Sequence, residues 1–246
     1  MQSKNERPIL DVFHLVKAYR GRRVVDHLSF HVGEGEIVGL LGPNGAGKTT
    51  AFYMTVGLIR PDAGHVVFKH RDVSRLPMHQ RARMGMGYLA QEPSVFRNLT
   101  VEQNISCILE NLSLTKKERT KRLGELLEEL HLKPLAKKRA IELSGGERRR
   151  LEITRALVTQ PTFLMLDEPF ANIDPLSVQE VKEIIHHLSR KGIGILITDH
   201  NAREIFSVVH RSYLIREGKV LLSGSVEELV NNEEARRTYL GNDFRL

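Results

Sequence analysis

Eight consecutive residues, Gly42-Pro43-Asn44-Gly45-Ala46-Gly47-Lys48-Thr49, do most to limit the folds open to this chain. They satisfy the G-x-x-x-x-G-K-[ST] pattern and stand where that pattern has to stand, after a strand-like run at 37–41 and before a helix-like stretch at 48–58. Glycines at these spacings let the backbone wrap a phosphate, so that successive N–H groups and a helix N-terminus face the anion. Lys48 is placed to reach β- and γ-phosphates, and the Thr49 hydroxyl to ligate Mg²⁺. A glycine-rich turn that merely caps a helix leaves both flanks unexplained. The expectation is a nucleotide-binding α/β fold.

The remaining apolar pattern agrees. Runs at 9–17 and 24–32 are rich in β-branched and large apolar side chains and are separated by Gly21 and then Gly33-Glu34-Gly35, with shorter strand signals at 65–69 and 87–89. Between 101 and 139 the composition changes: Thr115-Lys116-Lys117-Glu118 has the form of a capping box, and Leu123, Leu126, Leu127 and Leu130 recur at helical spacing. Strand signals return at 163–166 and 193–198 around a helix whose apolar face is Val178, Val181, Ile184, Ile185 and Leu188. That alternation predicts a largely parallel sheet covered by helices. Runs at 210–216 and 219–223, on either side of Glu217-Gly218, predict a late hairpin.

With 246 residues the chain can bury one sizeable core, or a core and a smaller subdomain. No run approaches eighteen apolar residues, residues 1–8 have no apolar signal-like segment, and the single Cys107 cannot form an internal disulfide. A cytosolic location is the default expectation. The net charge of +7 suits nucleic acid, an anionic membrane face or plain solubility. Its sources are scattered, at 17–23, at Arg75, Arg81 and Arg83, and at 116–122, 137–139 and 148–150, and read as solvated faces. No nucleic-acid partner is expected.

A second group of residues carries chemistry. The strand at 163–167 ends in Asp167, beside the expected Mg²⁺ shell, and Glu168 follows where a carboxylate can polarise a water attacking the γ-phosphate. Pro169 fixes the exit of the chain. In Ala171-Asn172-Ile173-Asp174, Asp174 either caps the next helix or bridges to another subunit. His200 follows the 193–198 strand and either hydrogen-bonds the γ-phosphate or its water, or sits idle while Asn201 and Glu204 cap a helix. Gln91 contacts Mg²⁺ or the water, or is a surface loop residue. Tyr19 stacks on adenine or packs at an edge.

Leu143-Ser144-Gly145-Gly146-Glu147 is the least expected of these segments. Ser144 and Glu147 form a capping box, yet two glycines just inside the helix start each cost about 1 kcal/mol relative to alanine. The backbone there reads as exposed for contact, a second phosphate-binding surface beyond the P-loop. If it serves another nucleotide, a two-fold dimer places two nucleotides between opposed subunits.

In this order, Gly42 to Thr49, Gln91, Leu143 to Glu147, Phe163 to Glu168, Ala171 to Asp174 and His200 resemble the nucleotide-binding subunit of ABC transporters over essentially the whole chain. The resemblance implies a P-loop NTPase core with a mainly parallel sheet, an N-terminal antiparallel β region and an inserted helical subdomain. It implies one ATPase domain over 1–246, with helices at about 101–159 including the one after Ser144, and a C-terminal extension at about 225–246. It implies ATP and Mg²⁺ as ligands, Thr50 as a further nucleotide contact, Tyr19 as the adenine-stacking aromatic, and catalytic roles for Glu168, His200 and Gln91. Thr49, Gln91 and Asp167 become metal ligands; Ser144, Gly145 and Gly146 clasp the partner copy's ATP. Asn172 departs from the glycine or small residue more usual there, and Ala90 from a proline.

More narrowly, Lys17-Ala18-Tyr19, Gly21 to Val25, Gly39 to Thr50, Phe52-Tyr53-Met54, Glu92 to Leu99, Leu143 to Arg149, Thr198 to Asn201, and Tyr239 to Gly241 with Asp243 to Leu246 resemble the ATPase family of bacterial lipopolysaccharide export. That implies a homodimeric motor peripheral on the cytoplasmic face of the inner membrane. Two membrane-embedded subunits would be its partners, and they would contact the lipid. The segment 94–99 would pass the nucleotide state outward, with Phe96 in a partner groove or in a local core, Arg97 pairing with a partner's cytoplasmic helix, and Asp174 coupling subunits. The ATPase of a branched-chain amino acid importer shares the general plan. A mechanical ATPase acting on DNA or the ribosome needs a long coiled coil or two units, and only 52 residues separate Gln91 from Ser144. A P-loop kinase leaves Ser144 without a role.

Overall fold

The computed structural model describes residues 8–241, 243 and 244. Residues 1–7, where a signal segment was not expected, and Arg245 and Leu246 of the C-terminal resemblance lie outside the described residues. The strands are β1 (Leu10–Tyr19), β2 (Arg22–Val32), β3 (Ile37–Leu41), β4 (Ala63–Phe68), β5 (Arg71–Asp72), β6 (Met86–Leu89), β7 (Phe163–Asp167), β8 (Gly194–Thr198), β9 (Arg211–Arg216) and β10 (Lys219–Ser225). The main helices are α1 (Lys48–Val56), α2 (Met78–Arg83), α3 (Val101–Leu109), α4 (Lys116–Glu129), α5 (Gly145–Leu157), α6 (Pro175–Arg190), α7 (Ala202–Phe206) and α8 (Val226–Asn231).

Two sheets form. One is antiparallel, in the order β2-β1-β4-β5; the other runs β10-β9-β3-β8-β7-β6 and is parallel apart from β10. Every residue of β3, β7 and β8 is buried, which is why these strands read as unbroken apolar runs. Their period of two nevertheless sorts side chains between two cores. Ile37, Leu41, Leu164, Leu166, Ile195 and Ile197 pack with the α5 and α6 side, whereas Val38, Leu40, Phe163, Met165 and Leu196 pack with α1 and the antiparallel sheet. The hairpin of β1 and β2 turns through Arg20 and Gly21, both at positive φ (51° and 80°), the geometry of a tight two-residue turn, and it sets Tyr19 at the sheet's end.

In the middle of the chain, α3 and α4 each begin with a complete capping box, Thr100 with Gln103 and Thr115 with Glu118. They bury Val101, Ile105, Leu109, Leu126 and Leu127 in the core shared with α5. Helix α1 stops at Val56, two residues before the expected 58, because Gly57 turns left-handed there (φ 87°). Helix α2 and strand β5 had no apolar period to announce them.

What holds α2 is Arg81, grouped above with a solvated basic cluster. The structure buries it, and its guanidinium donates to the carbonyls of Met54 (2.9 Å), Thr55 (2.6 Å), Leu76 (2.8 Å) and Ser74 (3.2 Å). Two of those are end carbonyls of α1, which lack helical partners and favour a cation. Burial lowers the Arg81 pKa to about 10, with Asp72 opposing the shift.

Candidate functional site

Parallel pairing brings the C-terminal ends of β3, β8, β7 and β6 to one rim of the sheet. The loop 42–47 leaves β3, Asp199 and His200 leave β8, Asp167 and Glu168 end β7, and Gln91 follows β6. Four segments far apart in sequence therefore meet.

Helix α1 has no side-chain cap. Its N-cap is Gly47 at φ 101°, where a β-carbon would run into the Val24 carbonyl, so only glycine fits and the first N–H groups have no side chain to answer them. Pro43, Asn44, Gly45 and Thr49 are exposed, Thr50 is half-buried, and Gly42 and Ala46 are buried. Lys48 folds back over the loop, its Nζ donating to the carbonyls of Gly42 (2.6 Å) and Pro43 (3.0 Å). Burial lowers its pKa, while Glu168, Asp167 and Asp199 oppose that shift. An ammonium in this position is answered only by carbonyls and three nearby acids, a cation ready for an anion.

Asp167 is 4% exposed and accepts the Thr198 hydroxyl at 2.6 Å. Burial raises its pKa, the Thr198 bond lowers it, and the charge of Glu168 raises it further. A carboxylate in that state gains from a cation beside it. The donors offered by Asp167, Thr49 and Gln91 are all oxygens, hard ligands that suit Mg²⁺. Metal and nucleotide phosphate both fit the residues present.

Glu168 lies in the left-handed region at φ 45°, an uncommon conformation for a residue with a side chain. Its N–H donates to the Thr198 carbonyl at 2.9 Å, and its carbonyl accepts from Ala171 N–H at 3.2 Å. Its carboxylate accepts Gln91 Nε2–H at 2.8 Å, and His200 Nδ1 is 3.5 Å from the same oxygen. Gln91, Glu168, Asn172, Asp199 and His200 share a cleft of about 550 Å³. A second cleft, about 770 Å³, runs along Pro43 to Ala46 beside Arg22, Arg23 and Arg216.

Ser144 caps α5: its hydroxyl accepts Glu147 N–H at 3.2 Å and its N–H donates to the Glu147 carboxylate at 2.8 Å. Ser144 and Gly145 are exposed, but Gly146 is not, contrary to the expectation that both glycines are open for contact. A β-carbon on Gly146 would run into the Ser177 side chain, so its glycine serves the close approach of α6 to α5. Neither cleft includes Ser144.

Asp174 does cap α6, accepting Leu176 N–H (3.1 Å), Ser177 N–H (3.0 Å) and the Ser177 hydroxyl (2.6 Å). Asn172 sits at φ 59°, where asparagine is the best tolerated residue after glycine. The backbone there thus tolerates asparagine, as it would glycine. Tyr19 is 47% exposed with Lys17 Nζ 5.7 Å from its ring centre, so it is no packed edge aromatic. Phe96 is 52% exposed, not in a local core; Arg155 lies 4.9 Å over its ring and also donates to the Ser94 carbonyl, and Arg97 beside it is exposed.

Two buried residues went unnoticed in the sequence. Arg149, counted there in a solvated cluster, is buried and donates to the carbonyls of Pro169 (3.0 Å), Glu168 (3.1 Å), Asp167 (3.3 Å) and Ala90 (3.3 Å), and to Glu152 (2.9 Å). It ties the helix that begins at Ser144 to the exits of β7 and β6. Its signal was helical period, since Gly146, Arg149 and Ile153 fall on one face. Asp199 is the other.

The sequence model of the ABC transporter family matches residues 25–171. The lipopolysaccharide export system ATP-binding protein LptB of Acidithiobacillus ferridurans is 53% identical over 97% of this chain and 99% of that protein. LptB of Escherichia coli strain K12 is 51% identical over 95% of this chain and 97% of its own length. Among solved structures, cbiO1 of Clostridium perfringens, part of the ABC transporter complex cbiONQ, superposes with a TM-score of 0.85 at 29% identity, covering 94% of each chain.

Proposed function

The chain belongs to the ABC transporter family of ATP-binding subunits, and from that premise we propose that it is the ATPase that drives lipopolysaccharide export. The Acidithiobacillus ferridurans and Escherichia coli relatives, each more than half identical to it across nearly its whole length, carry that function in their names, which favours it over a branched-chain amino acid importer. No helix among the described residues is long and apolar enough to cross a membrane. On the proposed function, membrane-embedded subunits carry the lipid and this chain takes a peripheral place on the cytoplasmic face of the inner membrane.

The observation that carries the mechanism is the grouping of Lys48, Asp167, Glu168, Gln91 and His200 at one sheet rim while Ser144 is absent from either cleft. Lys48 and the uncapped N–H groups of α1 bind the phosphates, with Tyr19 under the base. Thr49, Asp167 and Gln91 would hold Mg²⁺, which would supply positive charge to offset that of the phosphates. Glu168 accepts a proton from water once it turns away from Gln91, and His200 donates to the terminal phosphate. Ser144 and Gly145 are exposed and take a nucleotide held by a second copy, so ATP closes a homodimer and its loss reopens it. Phe96 and Arg97 carry that change to the membrane subunits.

Replacing Glu168 by glutamine removes the base and keeps the size and the Gln91 contact. Glu168→Gln is expected to accumulate as an ATP-bound dimer in size-exclusion chromatography with light scattering. A monomer at saturating Mg-ATP sinks the composite-site reading.

A further inference from the structure

Asp199 follows β8, one residue before His200, and is 2% exposed. Its Oδ1 accepts Asn201 N–H at 2.9 Å and lies 3.5 Å from His200 Nδ1. Its Oδ2 is buried with no hydrogen-bond partner. Burial raises its pKa, opposed by the Asn201 N–H and by His200, while Glu168 adds to the rise. A buried carboxylate with an open oxygen is costly, and an asparagine would take the Asn201 bond without burying a charge. Local packing alone therefore gives no reason for a charge here.

His200 supplies one. Its Nδ1 stands at 3.5 Å from two carboxylates, Oδ1 of Asp199 and Oε2 of Glu168. Oε2 of Glu168 is shared with Gln91, and in the reaction the same carboxylate has to take a proton from water. Asp199 is held on both sides: Thr198 before it donates to Asp167, and Asn201 after it caps α7 by accepting Arg203 N–H at 3.1 Å. When Glu168 turns, Asp199 is the carboxylate that stays.

We propose that Asp199 is the positioning residue of His200, accepting its Nδ1–H and so leaving Nε2 as the ring nitrogen that meets the nucleotide's terminal phosphate and its water. The assignment rests on the ATPase reading above. It gives the buried charge a task beyond its attraction to Lys48.

The test is steady-state ATP hydrolysis by the full chain, with nucleotide affinity from a fluorescent ATP analogue, for Asp199→Asn, His200→Ala and the double variant. Asp199→Asn is expected to lower kcat about tenfold with affinity changed less than about twofold, since an orienting partner acts through the group it holds. In the His200→Ala background the same change should cost less than about twofold more. An equal loss in both backgrounds, a raised KM with kcat unchanged, or no loss overturns the proposal. Asp199→Ser, which keeps an acceptor for Asn201 and drops the charge, is expected to repeat the pattern. If neither variant folds by circular dichroism, Asp199 is structural and the proposal fails. A wild-type chain with no Mg-dependent hydrolysis defeats the ATPase reading instead.

Discussion

Replacing Arg149 by methionine should cost this protein more stability than any surface charge change. Glu152 is 4% exposed, its Oε2 accepts from Arg149 at 2.9 Å, and its Oε1 is buried with no partner. Arg149 is thus its hydrogen-bonded partner, with the charge of Arg155 as a second, more distant support. Removing one partner of such a pair costs about 3–5 kcal/mol, because the other is left buried and unanswered. Four carbonyls also lose a charged donor, those of Ala90, Asp167, Glu168 and Pro169. At about 2–4 °C per kcal/mol for a chain of this size, the thermal midpoint should fall by roughly 6–20 °C. Replacing Glu152 by glutamine in the same chain should recover about half of that, since the orphaned charge is gone and the carbonyls are not rescued. Differential scanning fluorimetry of the two single variants and the double variant reads both numbers. A midpoint lowered by less than about 2 °C, or no recovery in the double variant, refutes the reasoning. Where the variant remains folded, its ATP hydrolysis should fall as well, because the Glu168 backbone, left-handed at φ 45°, loses one of its supports.

Gly146→Ala should destabilise by about 1–3 kcal/mol in thermal denaturation, as its methyl meets Ser177, and Ser177→Gly should relieve much of that; an inert Gly146→Ala would show that α5 and α6 yield. Asn172→Val should cost about 1–2 kcal/mol at φ 59°, whereas Asn172→Gly should stay within about 0.5 kcal/mol, and equal effects of the two would remove the backbone explanation. The Asp167 pKa is raised by burial above its ordinary 3.8, so its contribution favours the metal-free fold below that pH and is lost as pH rises through the folded pKa. Without Mg²⁺, Asp167→Asn should therefore raise the thermal midpoint at pH 7, with the gain shrinking toward pH 4; a gain that grows toward acid contradicts the sign. Phe96→Ser should keep the midpoint within about 1 °C, because half of the ring is already in solvent, yet lose co-purification with the membrane subunits; a large drop in midpoint would return Phe96 to the core.

Much of the site was legible from residue order because phosphate chemistry demands local patterns. A strand, a glycine loop and a lysine at fixed spacing can be read without knowing any tertiary contact, and so can a strand that ends in Asp167 and Glu168. The β3, β7 and β8 runs announced a sheet covered on both faces because apolar burial leaves its mark on every residue. What one dimension could not show is what a side chain meets across the fold. Arg81 and Arg149 look like solvent charges among other arginines, and only packing turns them into donors for carbonyls at helix and strand ends. Gly146 looks like exposed backbone until α6 lies against it, and Asp199 is one polar residue in a loop until burial leaves its oxygen open beside His200. Sequence alone determined that this chain wraps a nucleotide, since that follows from bonds between near neighbours. Tertiary structure decided how Ser144's helix is wired to Glu168, since that wire is a buried guanidinium crossing from one element to another.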